Sequence, residues 1–166
     1  MTNGGVNVKR LPQKPLNKHP SGKVPVFCYG TLLLPALQKT LFDQHIHPRP
    51  ATLVGWQRLL SHDGYWFITP NSSARVKGSI LWLTAPQLAI CDDWEDVPYY
   101  HRECVRVKRG YTRMTVFAYT RRGAKGKPFT TSGLTRHSLP RVLNIADRAF
   151  NTNSNPLAMS PGPVTI

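Results

Sequence analysis

Two short segments of the sequence combine residue types that could carry out chemistry. The first is Tyr29-Gly30-Thr31-Leu32, which follows the apolar run VPVFC and precedes a pattern with helical spacing. Glycine allows a tight turn and close approach of a ligand to the backbone, and the free N–H groups at the start of a helix can hold an anionic oxygen. The alternative is an ordinary strand-to-helix turn in which Thr31 is the N-cap.

The second segment is Asp92-Asp93-Trp94-Glu95, at the end of an apolar stretch with helical spacing. Burial raises the pKa of a carboxyl group, and nearby like charges act in the same direction. A glutamate adjusted in this way could take up and return a proton near neutral pH. The alternative is an acidic helix end on the surface.

Other common catalytic and binding patterns are missing from the sequence. It contains no GxGxxG, GxxxxGK[ST] or GxSxG motif, so it gives no sign of a dinucleotide site, a P-loop or a nucleophilic serine. His45 and His47 form an HxH pair in a proline-rich loop, but no second ligand pair follows, so we predict no metal site.

The elements that must position these segments are mainly strands. Apolar alternation and turn residues predict strands over 24–29, 51–60, 65–69, 75–84, 103–108 and 112–120, and helical spacing predicts helices over 32–44, 86–94 and 139–150. Gly55 predicts a bulge or bend, and Asp63-Gly64 and Arg109-Gly110 predict turns. The order lacks regular βα alternation. It favours an α+β fold, a small and mostly antiparallel β-barrel or curled sheet with flanking helices.

The charges are unevenly distributed. The chain of 166 residues has 22 Lys and Arg against 8 Asp and Glu, a formal net charge of +14. Most of the acidic residues lie in one short stretch, at Asp92, Asp93, Glu95, Asp96 and Glu103. A strongly basic surface attracts polyanions, so nucleic acid is a possible partner; the alternative is a solvated surface without a polyanionic partner.

Six segments together resemble the gamma-glutamylcyclotransferase-like family in order and rough spacing. They are VFCYGTLL, ATLVGWQRLL, VKGSILWL, DDWED, YYHRECVRV and VFAYT. The resemblance covers about 24–120 and implies a small β-barrel with flanking helices around a substrate cavity. The chain differs from the common family pattern at Ser79, Trp82 and Asp96, which leaves the identity of the leaving amine open.

The resemblance also implies residue roles. Glu95 would be the general acid/base, and the gamma-glutamyl group of a small substrate would be held by Tyr29, Gly30, Thr31, Leu32 and Tyr100. The reaction would form 5-oxoproline by attack of the α-amine on the gamma-carbonyl, with neither a metal nor a cofactor. Two alternatives stay open: a non-catalytic basic binding module for nucleic acid or another polyanion, and a different carboxylate-dependent reaction in the same cavity.

The remaining expectations concern the domain limits and the compartment. We expect a disordered basic arm over 1–23, one domain over 24–150, and an irregular, proline-containing tail over 151–166. No run of residues has the length of a membrane span, and no secretory signal is seen. The three cysteines, Cys28, Cys91 and Cys104, are an odd and widely spaced set, so we expect buried, reduced thiols and a cytoplasmic protein.

Overall fold

The computed structural model describes residues 21–61, 65–95, 100–121 and 123–128. Its elements are β1 (Val24–Cys28), a 3₁₀ turn (Thr31–Leu33), α1 (Pro35–Phe42), β2 (Arg49–Ser61), β3 (Trp66–Leu83), α2 (Ala85–Trp94), β4 (His101–Arg109), β5 (Thr112–Thr120) and β6 (Gly126–Pro128). Most of the predicted basic arm, the Asp63-Gly64 turn, the predicted helix over 139–150 and the tail over 151–166 lie outside the described residues. None of the described helices is long and apolar enough to cross a membrane.

The strands close into a barrel. They are hydrogen-bonded in the order β3-β1-β5-β4-β2, and a further pairing of β2 with β3 joins the two ends. The β1–β5 pair is parallel and the other pairs are antiparallel, with β6 added at one end of β2. The predicted small, mostly antiparallel β-barrel with flanking helices is therefore confirmed.

Each face of the barrel wall has its own apolar core. Side chains alternate between the two faces of a strand, so in β1 Phe27 joins the cluster inside the barrel and Val26 the cluster outside it. The inner cluster is dominated by aliphatic residues such as Leu53, Ile80 and Val107. The outer cluster includes the helix residues Leu37, Leu41, Phe42 and Cys91, so the two helices cover one part of the outer wall.

The predicted helix over 32–44 is interrupted in the structure. A proline disfavours the helical conformation of the residue before it, and Leu34, which precedes Pro35, is extended (φ −75°, ψ 122°). The segment is consequently divided into a 3₁₀ turn before Leu34 and the α-helix α1 after it. The helix α2 matches its prediction, with Thr84 as N-cap and a capping box to Gln87.

Gly55 is the bulge that the sequence predicts. Its φ is +82°, and the register of β2 against β3 shifts between Val54 and Trp56. The prediction of two separate strands over 65–69 and 75–84 was wrong, because both belong to β3. Residues 71–74 lie opposite the bulge, where Asn71 donates a hydrogen bond to the Gln57 side chain at 2.9 Å.

Gly78 lies where β3 is flanked by β1 and β2, and a side chain there has no room. A Cβ atom would lie 2.4 Å from the Cys28 carbonyl oxygen and 2.7 Å from the Phe27 ring. We expect Gly78→Ala to lower the free energy of unfolding by about 1–3 kcal/mol, measured by urea denaturation. Wild-type stability in this variant would contradict the close strand packing.

Candidate active site

Hydrogen bonds at both the side chain and the backbone of Tyr29 fix the turn after β1. The Tyr29 hydroxyl donates a hydrogen bond to the carbonyl oxygen of Tyr119 at 2.8 Å, and Nη1 of Arg58 donates to the carbonyl oxygen of Tyr29 at 3.0 Å. Leu32, three residues on, is buried in the outer core. The backbone of the turn is therefore held between β5, β2 and the helices.

The 3₁₀ turn leaves two backbone donors without an acceptor. Leu33 N–H donates to Gly30 O and Leu34 N–H to Thr31 O. The preceding N–H groups of Thr31 and Leu32 have no hydrogen-bond acceptor among the described residues, as is usual at the start of a helix. Gly30, and not Thr31, occupies the N-cap position. The arrangement can accept an oxygen that carries negative charge.

Gly30 is not required by the protein's own packing. Its φ of −139° is open to any residue, and a Cβ atom would meet only the Trp66 ring, at an ordinary contact distance of 3.8 Å. The absence of a side chain at Gly30 therefore leaves open space beside the two N–H donors.

Glu95 follows α2 directly as its C-cap and donates its N–H to Cys91 O at 2.9 Å. Although the residue as a whole is partly exposed, burial of the carboxyl group raises its pKa to about 7. The charge of this carboxyl contributes, after burial, to the raised pKa of Tyr29, and it also raises that of Cys28. The Glu95 carboxyl therefore lies close enough to the end of β1 for its charge to act on Cys28 and Tyr29.

Burial alone raises the pKa of Glu95, whereas the sequence suggested that neighbouring acidic residues contribute as well. Asp92 is held by Arg102, whose Nη1 lies 2.7 Å from Oδ2 and 3.0 Å from Oδ1, and it accepts a 2.7 Å hydrogen bond from the Tyr119 hydroxyl. Asp93 is exposed. Asp92, Asp93 and Glu95 thus lie in three different environments: the first is ion-paired, the second is exposed, and the carboxyl of the third is buried.

The raised pKa of Glu95 predicts how stability depends on pH. Since the native state holds the proton more tightly than the unfolded chain, stability declines as the pH rises from the ordinary pKa of 4.5 to about 7. The difference of about 2.5 between the two pKa values, at about 1.4 kcal/mol for each pH unit, corresponds to about 3 to 4 kcal/mol. We expect Glu95→Gln to be more stable than the wild type by up to this amount at pH 8, and about equally stable at pH 4. Urea denaturation at both pH values measures the difference, and equal stability at pH 8 would show a solvated carboxylate.

Tyr100 is buried, and its hydroxyl donates to Trp66 O at 2.9 Å. It is close enough to Tyr29 to contribute to the raised pKa of that residue. Arg102, two residues after Tyr100, connects β4 to α2 through its ion pair with Asp92.

Arg58 and Trp66 border the turn, and sequence reasoning missed both. The Arg58 guanidinium lies 4.7 Å from the centre of the Trp66 ring, and burial lowers the pKa of Arg58. Arg58 is paired with Ile68, a residue of the inner core. Strict alternation from Leu53 would put Arg58 outside, but the bulge at Gly55 reverses the alternation. The sequence suggested the bulge, and that signal could have located Arg58.

The cysteines are placed in two ways. All three are free; Cys28 and Cys91 are buried, whereas Cys104 is partly exposed, contrary to the prediction that all three are buried.

Among the residues that the structure describes, no group of three or more His, Cys, Asp or Glu side chains is placed to hold a metal ion.

Comparisons with known proteins agree with this fold. The model of a family described as "Gamma-glutamyl cyclotransferase, AIG2-like" matches residues 26–134, more than half of the chain. A solution structure from Arabidopsis thaliana is 22% identical, with 84% of this chain and 88% of that chain covered and a TM-score of 0.60. A gamma-glutamyl cyclotransferase is 15% identical (81% and 82% covered, TM-score 0.58), and an AIG2-like protein from Mus musculus is 19% identical (68% and 91% covered, TM-score 0.54). No curated protein matches the sequence significantly.

Proposed function

Since this chain belongs to the gamma-glutamyl cyclotransferase, AIG2-like family, we propose that it releases 5-oxoproline from a gamma-glutamyl amine or peptide. The proposal is supported by one observation: the desolvated carboxyl of Glu95 is close enough for its charge to raise the pKa of Tyr29, which begins the turn where Thr31 and Leu32 leave N–H groups without an acceptor among the described residues. A proton acceptor and donors for an oxyanion are the two groups that such a cyclisation requires.

The proposed reaction begins with proton transfer from the substrate. Glu95 takes a proton from the α-ammonium group, and the freed amine attacks the gamma-carbonyl carbon, forming the new C–N bond of a five-membered lactam. Negative charge develops on the carbonyl oxygen, where the N–H groups of Thr31 and Leu32 stabilise it. The old C–N bond then breaks as Glu95 returns its proton to the leaving nitrogen, so one carboxyl serves both transfers. The extra proton on the new ring nitrogen passes to the released amine, which leaves as an ammonium ion.

Orientation of the substrate supplies much of the remaining rate enhancement. Attack within one molecule needs the chain of the substrate folded back on itself, and holding reacting groups in place is worth about 7–11 kcal/mol in the best cases. The fixed backbone of Tyr29 supports this role, because hydrogen bonds to Tyr119 and from Arg58 hold it. Tyr100, whose hydroxyl donates to Trp66 O, is proposed to contact the gamma-glutamyl group.

The test is an assay of the purified protein against a panel of gamma-glutamyl amines, isopeptides and peptides. Release of 5-oxoproline, measured by chromatography with mass detection, is the expected result, and the best substrate identifies the leaving amine. Conversion of a gamma-glutamyl substrate without release of 5-oxoproline would indicate the different carboxylate-dependent reaction. No transformation of any member of a broad panel would contradict catalysis.

The Gly30→Ala variant tests substrate binding at the turn separately from the stability of the protein. The added methyl group has room in the free protein but occupies the space beside the Thr31 and Leu32 N–H groups. We expect kcat/KM to decrease by about 10-fold or more, equivalent to about 1.4 kcal/mol, while the midpoint of urea denaturation stays within about 0.5 kcal/mol of the wild type. Undiminished kcat/KM would place the substrate elsewhere.

A further inference from the structure

The outer wall of the barrel carries a basic face where the helices do not cover it. Alternation puts Leu81 and Leu83 of β3 under the helices, and on the same side of the strand it puts Arg75 and Lys77, which are exposed. The basic face is defined by five exposed side chains from β3, β4 and β5: Arg75, Lys77, Arg106, Lys108 and Arg113.

Three of these cations belong to one row across four strands. Lys77 is paired with Thr52, Thr52 with Lys108, and Lys108 with Arg113. Directly paired residues project from the same face of a sheet, and neighbouring strands lie about 4.8 Å apart. The row therefore extends over about 14 Å of the outer wall, a span comparable to a few nucleotides of a single strand.

This arrangement does not stabilise the fold. Like charges directly opposite each other in antiparallel strands are destabilising, and Lys108 is opposite Arg113. Four of the acidic residues that the structure describes lie on or directly after the helices: Asp43, Asp92, Asp93 and Glu95. The fifth, Glu103, lies on β4, where strand alternation places it on the opposite face from Arg106 and Lys108. The described outward positions next to the row thus contribute no Asp or Glu to offset its charge, so an external anion is the natural counterpart.

An exposed aromatic side chain lies in the turn that joins the strands of the last two cations of the row. Tyr111 is fully exposed in the turn that joins Arg109 to Thr112, next to Lys108 and Arg113. Together with Val54 it is one of two exposed large apolar residues in the described part of the chain, too few to insert into a bilayer. A cationic groove or face with an aromatic side chain on which a base can stack is typical of single-stranded nucleic acid binding.

We propose that the basic face binds the phosphodiester backbone of a single-stranded nucleic acid, with Tyr111 stacked on an unpaired base. The cations of the row contact phosphates without reading the base sequence, so binding is expected to depend strongly on salt and weakly on sequence. This function is separate from the proposed cyclotransferase site, because Glu95 and Tyr29 contribute nothing to the face.

The test measures fluorescence anisotropy of labelled oligouridylate and oligothymidylate with the full chain at several salt concentrations. We expect the double variant Lys108→Gln/Arg113→Gln to reduce the slope of log K against log salt by about 1.4, since each lost phosphate contact in single strands contributes about 0.7. Tyr111→Ala is expected to weaken binding by about 5-fold or more. The cyclotransferase activity of these variants should stay at the wild-type level. Their stability should stay at the wild-type level or rise.

The matched control is Lys39→Gln/Lys127→Gln, which removes two exposed cations from α1 and β6 and changes the net charge equally. This control should lower the slope of log K against log salt by less than half of the decrease expected for Lys108→Gln/Arg113→Gln. The proposal is overturned by equal loss in the two double variants, by unaltered binding of Tyr111→Ala, or by no binding at about 100 mM salt. Equal or tighter binding to a duplex of the same length, or to phosphatidylserine vesicles, would also overturn it.

Discussion

Replacing Glu95 with glutamine is expected to lower kcat for 5-oxoproline release by about 100- to 10,000-fold. Glutamine has nearly the same shape but can neither accept the proton of the α-ammonium group nor return it to the leaving amine, and positioned acid–base groups contribute about this much to rates. The measurement is the initial rate of 5-oxoproline release at saturating substrate, with the best substrate of the panel.

Asp93→Asn is the matched control for this prediction. It removes one carboxylate from the same helix, but Asp93 is exposed, so kcat should stay within about twofold of the wild type. A Glu95→Gln variant that keeps more than about a tenth of the wild-type rate would rule out Glu95 as the proton carrier. Because the same variant is expected to be more stable at pH 8, its inactivity could not be attributed to unfolding.

The second large effect is in the pH dependence of kcat/KM. Burial raises the pKa of Glu95 to about 7, and only the ionised carboxylate can take the first proton. We therefore expect kcat/KM to increase about tenfold per pH unit below pH 7 and to level off above it, so that the value at pH 5 is about 100-fold below the plateau. Initial rates at low substrate concentration between pH 5 and 8 give this profile.

The midpoint of that profile distinguishes two environments for the carboxyl. Asp93→Asn should keep a midpoint near pH 7, because Asp93 does not cause the raised pKa of Glu95. A midpoint near 4.5, the ordinary value for a glutamate, would mean that water reaches the Glu95 carboxylate in the free enzyme. Because an ordinary glutamate is already mostly ionised at pH 5, a profile that is flat from pH 5 to 8 would contradict a buried Glu95 carboxyl with a pKa near 7.

Local sequence signals predicted the elements that depend on neighbouring residues. The apolar run of β1, the helix α2 and the turn at Gly110 all follow from residues within a few positions, and each is found where expected. The division of the first helix is also local, since Pro35 excludes Leu34 from the helical region. That signal was present in the sequence but was outweighed by the helical spacing on both sides of the proline.

Features that depend on distant partners were not predictable in the same way. β3 is continuous because its two halves pair with β2 on both sides of the Gly55 bulge, and Asn71 reaches Gln57 across the strands. Likewise, Asp92 and Glu95 are alike in sequence, and only the approach of Arg102 and Tyr119 gives Asp92 a charged partner and a hydroxyl donor. Their different surroundings follow from the tertiary structure.

The parallel pairing of β1 with β5 has a consequence for how the protein folds. The hydrogen bond from the Tyr29 hydroxyl to the Tyr119 carbonyl joins residues 90 positions apart, and such non-local contacts form slowly because a long loop must first be closed. A nascent chain that ends before β5 therefore cannot fix the Tyr29 turn. We expect recovery of activity during refolding to follow the slowest phase of barrel formation, and amide hydrogens of β1 and β5 to exchange only in global unfolding.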